Sequence, residues 1–291
     1  MLHVELMHNL YTNTHATFDP SKSLPFPHLL SQSIQTPYLV NEMLAFSALH
    51  LSTLVPERRE YYHYHAANLQ TQALAIFKAS NPQVTPETAV PLFLFSWILG
   101  VHMLCDTLIY RSTNSRTDSN SDFDTFLTSF IQYLRLHRGV RAILSEAWSL
   151  LRHSSMEPVF DAGIALYKYD NHLSPPLHSL LTKITSSTTL LLHEKNAYRQ
   201  AIEKLQVCMN VSDAADARHA EINAVITWPI LVEVEFINLL EGRAAEALAV
   251  LGHYGGFIER FRESWVFGDS GGYIVDCVRG ALGGEWEGLV P

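Results

Sequence analysis

Residues 57–79 read ERREYYHYHAANLQTQALAIFKA, and the spacing of their apolar members decides the class of fold. Tyr62, Ala66, Leu69, Ala73, Ile76 and Phe77 recur at steps of three and four, the repeat that lines one face of an α-helix. Upstream, PYLVNEMLAFSALHLSTLV carries Thr36 as a candidate N-cap and Pro37 at the first helical position, where a missing amide hydrogen removes nothing a helix needs. That segment stops before Pro56, and Asn81-Pro82 stops the helix that follows it.

The same spacing extends in both directions. Leu2 to Phe18 places Leu6 and Leu10 four apart, and Phe123, Phe126, Phe130 and Tyr133 stack at helical intervals. Gly139 then terminates or kinks that helix. A helix over 141–152 ends at Met156-Glu157-Pro158, Pro175-Pro176 marks a loop, and further helices run over about 177–192 and 194–209. Three more occupy the segment from Ser212 onward, Trp228-Pro229 opening one of them. No sustained strand alternation appears, so the expectation is an all-α chain, a single large domain over 1–291 with ten or more helices. The Pro/Ser-rich stretch 19–28 reads as a loop, and the polar, apolar-free stretch 111–122 (RSTNSRTDSNSD) as a flexible one.

Composition sets limits on function. With 47% hydrophobic residues the 291-residue chain has ample material for a core. Its 20 basic and 29 acidic residues give a net charge of −9, which repels phosphate backbones and argues against direct nucleic-acid contact. Cys105, Cys208 and Cys277 are isolated, as expected of buried thiols in a reducing compartment rather than of a structural zinc site. Residues 88–105 (TAVPLFLFSWILGVHMLC) lack any charge. Pro91, Ser96, Gly100 and His102 interrupt them and Glu87 and Asp106 bracket them, so a helix buried all round is the reading rather than a membrane span. The opening MLHVELMHNLY has no basic region or cleavage site of a secretory signal, which implies an intracellular protein, cytoplasmic or nuclear.

The C-terminal stretch 228–282, WPILVEVEFINLLEGRAAEALAVLGHYGGFIERFRESWVFGDSGGYIVDCVRGAL, resembles the end of the regulatory domain of fungal zinc-cluster transcription factors of the sterol-uptake-control type. There a Trp-Pro helix precedes an alanine-rich helix and a tryptophan-bearing turn. VELMHNLYTNTHATF, LVNEMLAFSALHLSTL, YYHYHAANLQTQALAIF and FIQYLRLHRGVRAIL resemble its earlier elements, in the same order. The resemblance implies an internal apolar pocket for a sterol-like ligand. It implies no DNA contact by this chain, because the family's six-cysteine cluster is missing. A chain beginning at Met without that cluster reads as a stand-alone protein. In the turn, Val266 and Asp269 stand where the family carries tryptophans, so the corner differs in shape and polarity and the ligand is left open among sterol-, terpenoid- and polyketide-like molecules.

Candidate pocket residues are Tyr11, Phe46, Phe93, Trp97, His102, Trp228, Phe236, Tyr254, Trp265 and Phe267, which supply apolar area with a few polar tips. A ligand-binding sensor is one reading. The other is a cofactor-free enzyme of secondary metabolism, a cyclase folding a polyene, terpenoid or polyketide, with His102, Asp106, His253, Tyr254 and Asp269 as donors or acids. No hydrolase elbow, phosphate loop or dinucleotide motif is present. Of the closest sets, His63 and His65 lie two apart and face away from each other on a helix, and of His102, Cys105 and Asp106 only His102 and Cys105 share a face and need a third ligand from elsewhere, so no metal and no cofactor are expected. Gly268, Gly271 and Gly272 form a turn rather than an anion nest. Glu233 and Glu235 read as solvated or salt-bridged. The partner implied is a lipophilic small molecule, with a homodimer left open.

Overall fold

The structure, a computed structural model, describes residues 1–17, 33–111, 119–154, 156, 172–213 and 221–291. The chain is all-α over these residues, with no strand among them. The stretch 19–28, the central part of 111–122 and the stop at Glu157-Pro158 lie outside the described residues. The chain divides into two compact units: Met1–Met103 with Arg138–Gly163, and Leu104–His137 with Ile164–Pro291.

The first unit holds α1 (Leu2–Thr12), α2 (Pro37–Leu54), α3 (Arg59–Ser80) and most of α4 (Ala89–Ile109). Thr36 is extended before Pro37, although its hydroxyl makes no capping bond. The last turn of α3 closes on Asn81 in the left-handed region, φ 41°, where asparagine is among the least strained residues with a Cβ. Nine consecutive residues of α2, Glu42 to His50, are buried, so that helix is covered on every side.

A buried polar clasp holds α1 to α2. Asn9 Nδ2 donates to Thr14 Oγ1 and to Ser47 Oγ, each at 3.0 Å, and Ser47 Oγ donates to the Leu6 carbonyl at 2.8 Å. Thr14 Oγ1 and His50 Nδ1 lie 3.0 Å apart in a further hydrogen bond. An edge-and-stack trio of Tyr38, Phe77 and Phe95, with centroids 4.8 to 5.4 Å apart, joins α2, α3 and α4. Of the most apolar stretch of α4, 72% is buried, as befits a core helix. By length and composition α4 is one helix among the described residues apolar enough to cross a membrane, and the bent pair Asn223–Leu231 and Val234–Glu241 is a second only if taken as a single span.

In the second unit the leading part of α5 (Ser119–Leu151) presents Phe123, Phe126, Phe130 and Tyr133 as a ladder with centroid steps of 6.3, 5.8 and 5.8 Å. The helix does not terminate at Gly139, and α5 continues to Leu151. A lone helical glycine costs only about 0.5–1 kcal/mol, and buried residues on both sides of it, Leu134 and Ala147 among them, hold the helix.

Next come α6 (Pro175–Ser186), α7 (Leu192–Asp213), α8 (Glu221–Leu231), α9 (Val234–Glu241), α10 (Ala245–Glu259) and α11 (Ser270–Ala281). Pro175-Pro176 is not a loop: it opens α6, where proline lacks no needed donor. Four α-helices, not three, follow Ser212 among the described residues.

Trp228-Pro229 does not open its helix either. It lies within the last turn of α8, and α9 departs at 89° to the Asn223–Leu231 segment. Lys204 Nζ donates to the Leu231 carbonyl at 2.7 Å and so caps the end of α8. At the crossing of α10 and α11, a Cβ on Gly271 would fall 2.3 Å from the Glu259 amide nitrogen, so only glycine admits this approach.

Candidate functional site

In the first unit, the apolar spacing of α2 and α4 turns Glu42 and His102 toward one another. His102 Nδ1 is hydrogen-bonded to Glu42 Oε1 at 2.9 Å, with the side chains 3% and 0% exposed. The Phe46 ring lies 6.1 Å from the imidazole, and Phe93 stacks on Trp97 at 5.7 Å. Glu42 Oε2 has no hydrogen-bond partner. Burying a polar group is costly unless it is hydrogen-bonded, so this pair is a built feature with one carboxyl oxygen open to a further donor. Glu42 escaped the sequence reading, although it is the one acidic residue in α2. Tyr11, expected to face inward, is instead 53% exposed, because the inward face of α1 is carried by Leu6, Asn9 and Leu10.

In the second unit, Trp228, Phe236 and Tyr254 form one cluster. Trp228 stacks on Tyr254 at 4.4 Å and meets Phe236 edge-on at 5.7 Å, all three fully buried. Trp228 Nε1 donates to the Ala201 carbonyl at 2.9 Å, and Tyr254 Oη donates to the Val225 carbonyl at 3.1 Å. Val225 is the residue whose carbonyl would bond the amide of residue 229, and Pro229 has none. Tyr254 therefore supplies the hydrogen that the proline withholds. Burial raises the Tyr254 phenol far above its ordinary value.

The C-terminal turn buries Val266 and Phe267, leaves Trp265 half-buried rather than interior, and swings through Gly268 at φ 51°. Asp269 lies at the surface with its side chain 77% exposed. It accepts from Arg111 at 2.5 Å, and that guanidinium holds its carboxyl below the usual range. The same guanidinium lies 4.6 Å over the Tyr273 ring. Gly272 N donates to Glu259 Oε2 at 2.7 Å, so the glycines serve the turn and the helix crossing. His253 is hydrogen-bonded through Nε2 to the Leu289 carbonyl at 2.8 Å.

Of the enzyme candidates in this unit, Tyr254 donates to backbone in the core, Asp269 is engaged at the surface, and Asp106 is half-buried on α4. His102 belongs to the other unit, so the candidate pocket residues likewise divide between the two. Among the described residues no three His, Cys, Asp or Glu side chains are grouped to hold a metal. Glu233 pairs with Lys204 at 3.1 Å and Glu235 with His193 at 3.5 Å, as expected of solvated positions. An open surface hollow of about 550 Å³ near the C-terminus is lined by Arg279, Leu282, Trp286, Glu287 and Val290 among others, and contains none of the candidates.

The ladder on α5 ends in a pair that sequence reasoning did not single out. Tyr133 and His137 lie one helical turn apart with ring centroids 4.9 Å apart, and are 1% and 2% exposed. Neither Tyr133 Oη nor His137 Nε2 has a hydrogen-bond partner. Burial lowers His137 to about 4, leaving a neutral imidazole, and raises the Tyr133 phenol. The signal in the sequence was a tyrosine and a histidine at i and i+4 on an otherwise aromatic face.

An all-α chain with an aromatic interior and a few buried polar atoms is the class defined so far. Comparison with known proteins shows similarity to a Zn(2)-C6 fungal-type transcription factor of Gibberella zeae, 22% identical over 282 residues, covering 91% of this chain and 55% of that protein. The Zn(2)-C6 fungal-type transcription factor afumD of Aspergillus fumigatus is 24% identical over 258 residues, covering 82% of this chain and 64% of its own length. The chain thus spans between half and two thirds of the length of the curated relatives it matches. No protein-family profile and no solved structure matches it.

Proposed function

We propose that this chain is a ligand-responsive regulatory module of the kind carried by fungal zinc-cluster transcription factors, taking an apolar polycyclic or polyene molecule of sterol, terpenoid or polyketide type into a helical interior. The observation that carries the reading is similarity to two such factors along 91% and 82% of the chain. Support comes from the buried aromatic clusters and from buried polar atoms without partners, the combination by which an apolar pocket orients a ligand. Ligand binding stabilises one arrangement of the helices and so biases contact with a partner polypeptide. The net charge of −9 leaves DNA contact to another segment or partner, and the site of action is intracellular, nuclear or cytoplasmic.

The test is native mass spectrometry of the protein after incubation with fungal lipid extract, followed by release and identification of what is bound. A retained lipophile recovered chemically unchanged is the expected result. Recovery of a cyclised product would replace the sensor with an enzyme, and failure to retain any lipophile would remove the reading.

A further inference from the structure

We infer that Tyr133 and His137 form the polar anchor of a ligand site in the second unit, receiving the hydroxyl or ketone oxygen of an otherwise apolar molecule. This rests on the regulatory reading above and adds the chemistry its ligand must carry.

The inference starts from two atoms. Tyr133 Oη and His137 Nε2 are both buried and both without partners, on side chains that meet at 4.9 Å on one face of α5. Leaving a buried polar atom unmatched costs about 1–3 kcal/mol, and here two such atoms belong to neighbouring rings on one helix face. The surroundings are aromatic: Phe130 lies 5.8 Å from Tyr133, and Tyr254, stacked on Trp228, lies 6.1 Å from Phe130. The polar atoms of that wall are already committed, Tyr254 Oη to the Val225 carbonyl and Trp228 Nε1 to the Ala201 carbonyl. The wall thus offers apolar area and leaves the Tyr133–His137 pair to do the hydrogen bonding.

The donor inventory sets the class of group that fits. A phenol both donates and accepts, and a neutral imidazole presents one N–H and one lone pair. Together they can donate to and accept from one hydroxyl, or donate to one carbonyl oxygen. A carboxylate or phosphate would meet no standing counter-charge here, because burial keeps the imidazole neutral down to about pH 4 in the unliganded protein. Alcohols and ketones are therefore favoured over the corresponding acids and hydrocarbons.

The experiment measures binding of two skeletons, rigid androstane and flexible phytane, each as hydrocarbon, alcohol, ketone and carboxylic acid, by quenching of tryptophan fluorescence and by native mass spectrometry. On a skeleton that binds, the alcohol or ketone should bind at least about tenfold tighter than the hydrocarbon, equivalent to about 1.4 kcal/mol. Tyr133→Phe and His137→Leu should each bring that ratio close to one while hydrocarbon binding persists, and His137→Gln should restore part of it. Without ligand, Tyr133→Phe should also raise the melting temperature, since it removes an unmatched hydroxyl. A lowered melting temperature would mean that a buried water already serves the pair, and the anchor falls. Binding without preference for the oxygenated forms, or a preference that survives both substitutions, overturns the anchor and leaves the regulatory reading standing. Failure of every skeleton to bind removes both.

Discussion

Pro229 and Tyr254, 25 positions apart, act as one device. The proline deprives the Val225 carbonyl of its helical partner, and the phenol of Tyr254 replaces it at 3.1 Å. Tyr254→Phe alone should therefore cost about 1–3 kcal/mol in urea unfolding, the penalty of an unmatched buried carbonyl. In a Pro229→Ala background, where residue 229 regains its amide, the same substitution should cost about 1 kcal/mol less, and strict additivity would refute the coupling. Two histidines carry a second residue-scale expectation. Burial holds His50 and His137 at about 4, below the ordinary value near 6.5. Between those limits the unfolded chain binds protons that the folded chain does not, so this contribution to stability is full above pH 6.5 and is lost as pH falls toward 4. Melting temperature should fall across that window, and His50→Gln should flatten the slope; an unchanged slope would count against a neutral, buried His50.

At the scale of elements, α11 contains its own control. Gly271 abuts the backbone of Glu259, with a Cβ on it falling 2.3 Å from N and 2.5 Å from Cα, whereas nothing lies within 4 Å of a Cβ on Gly280. Gly271→Ala should force α10 and α11 apart at a cost of about 1–3 kcal/mol or more. Gly280→Ala should stabilise by about 0.5–1 kcal/mol, as should Gly139→Ala in α5, where a Cβ also meets nothing within 4 Å. Thermal melts of the three variants decide this directly. The helices were legible because the spacing that makes a helix amphipathic is local: the 57–79 reading differs from α3 by a residue or two at each end. The placement of Trp228-Pro229 was not legible, since a proline that usually opens a helix sits here at its end, where a tyrosine from another helix meets the carbonyl it leaves bare. Glu42 was hidden for the same reason, its partner His102 lying 60 residues away. Tyr11 misled because an aromatic beside an apolar stripe reads as part of it.

For the whole molecule, the net charge of −9 predicts that the chain does not retard a random DNA duplex in a gel at physiological salt, and a salt-sensitive shift would contradict the assignment of DNA contact to another segment. The division into two compact units gives the three cysteines a practical meaning, because all of them fall in the second unit. Cys105 and Cys208 are fully buried and their thiols are pushed up by burial, Cys208 to about 12, while Cys277 on α11 is only partly covered. An alkylating reagent applied to the native protein therefore meets Cys277 first, and the delay before the other two react is a clock for the opening of that unit alone. With no thiol in the first unit, the protein carries a built-in reporter on one half and silence in the other, so a ligand that slows the clock can be assigned to the half it steadies.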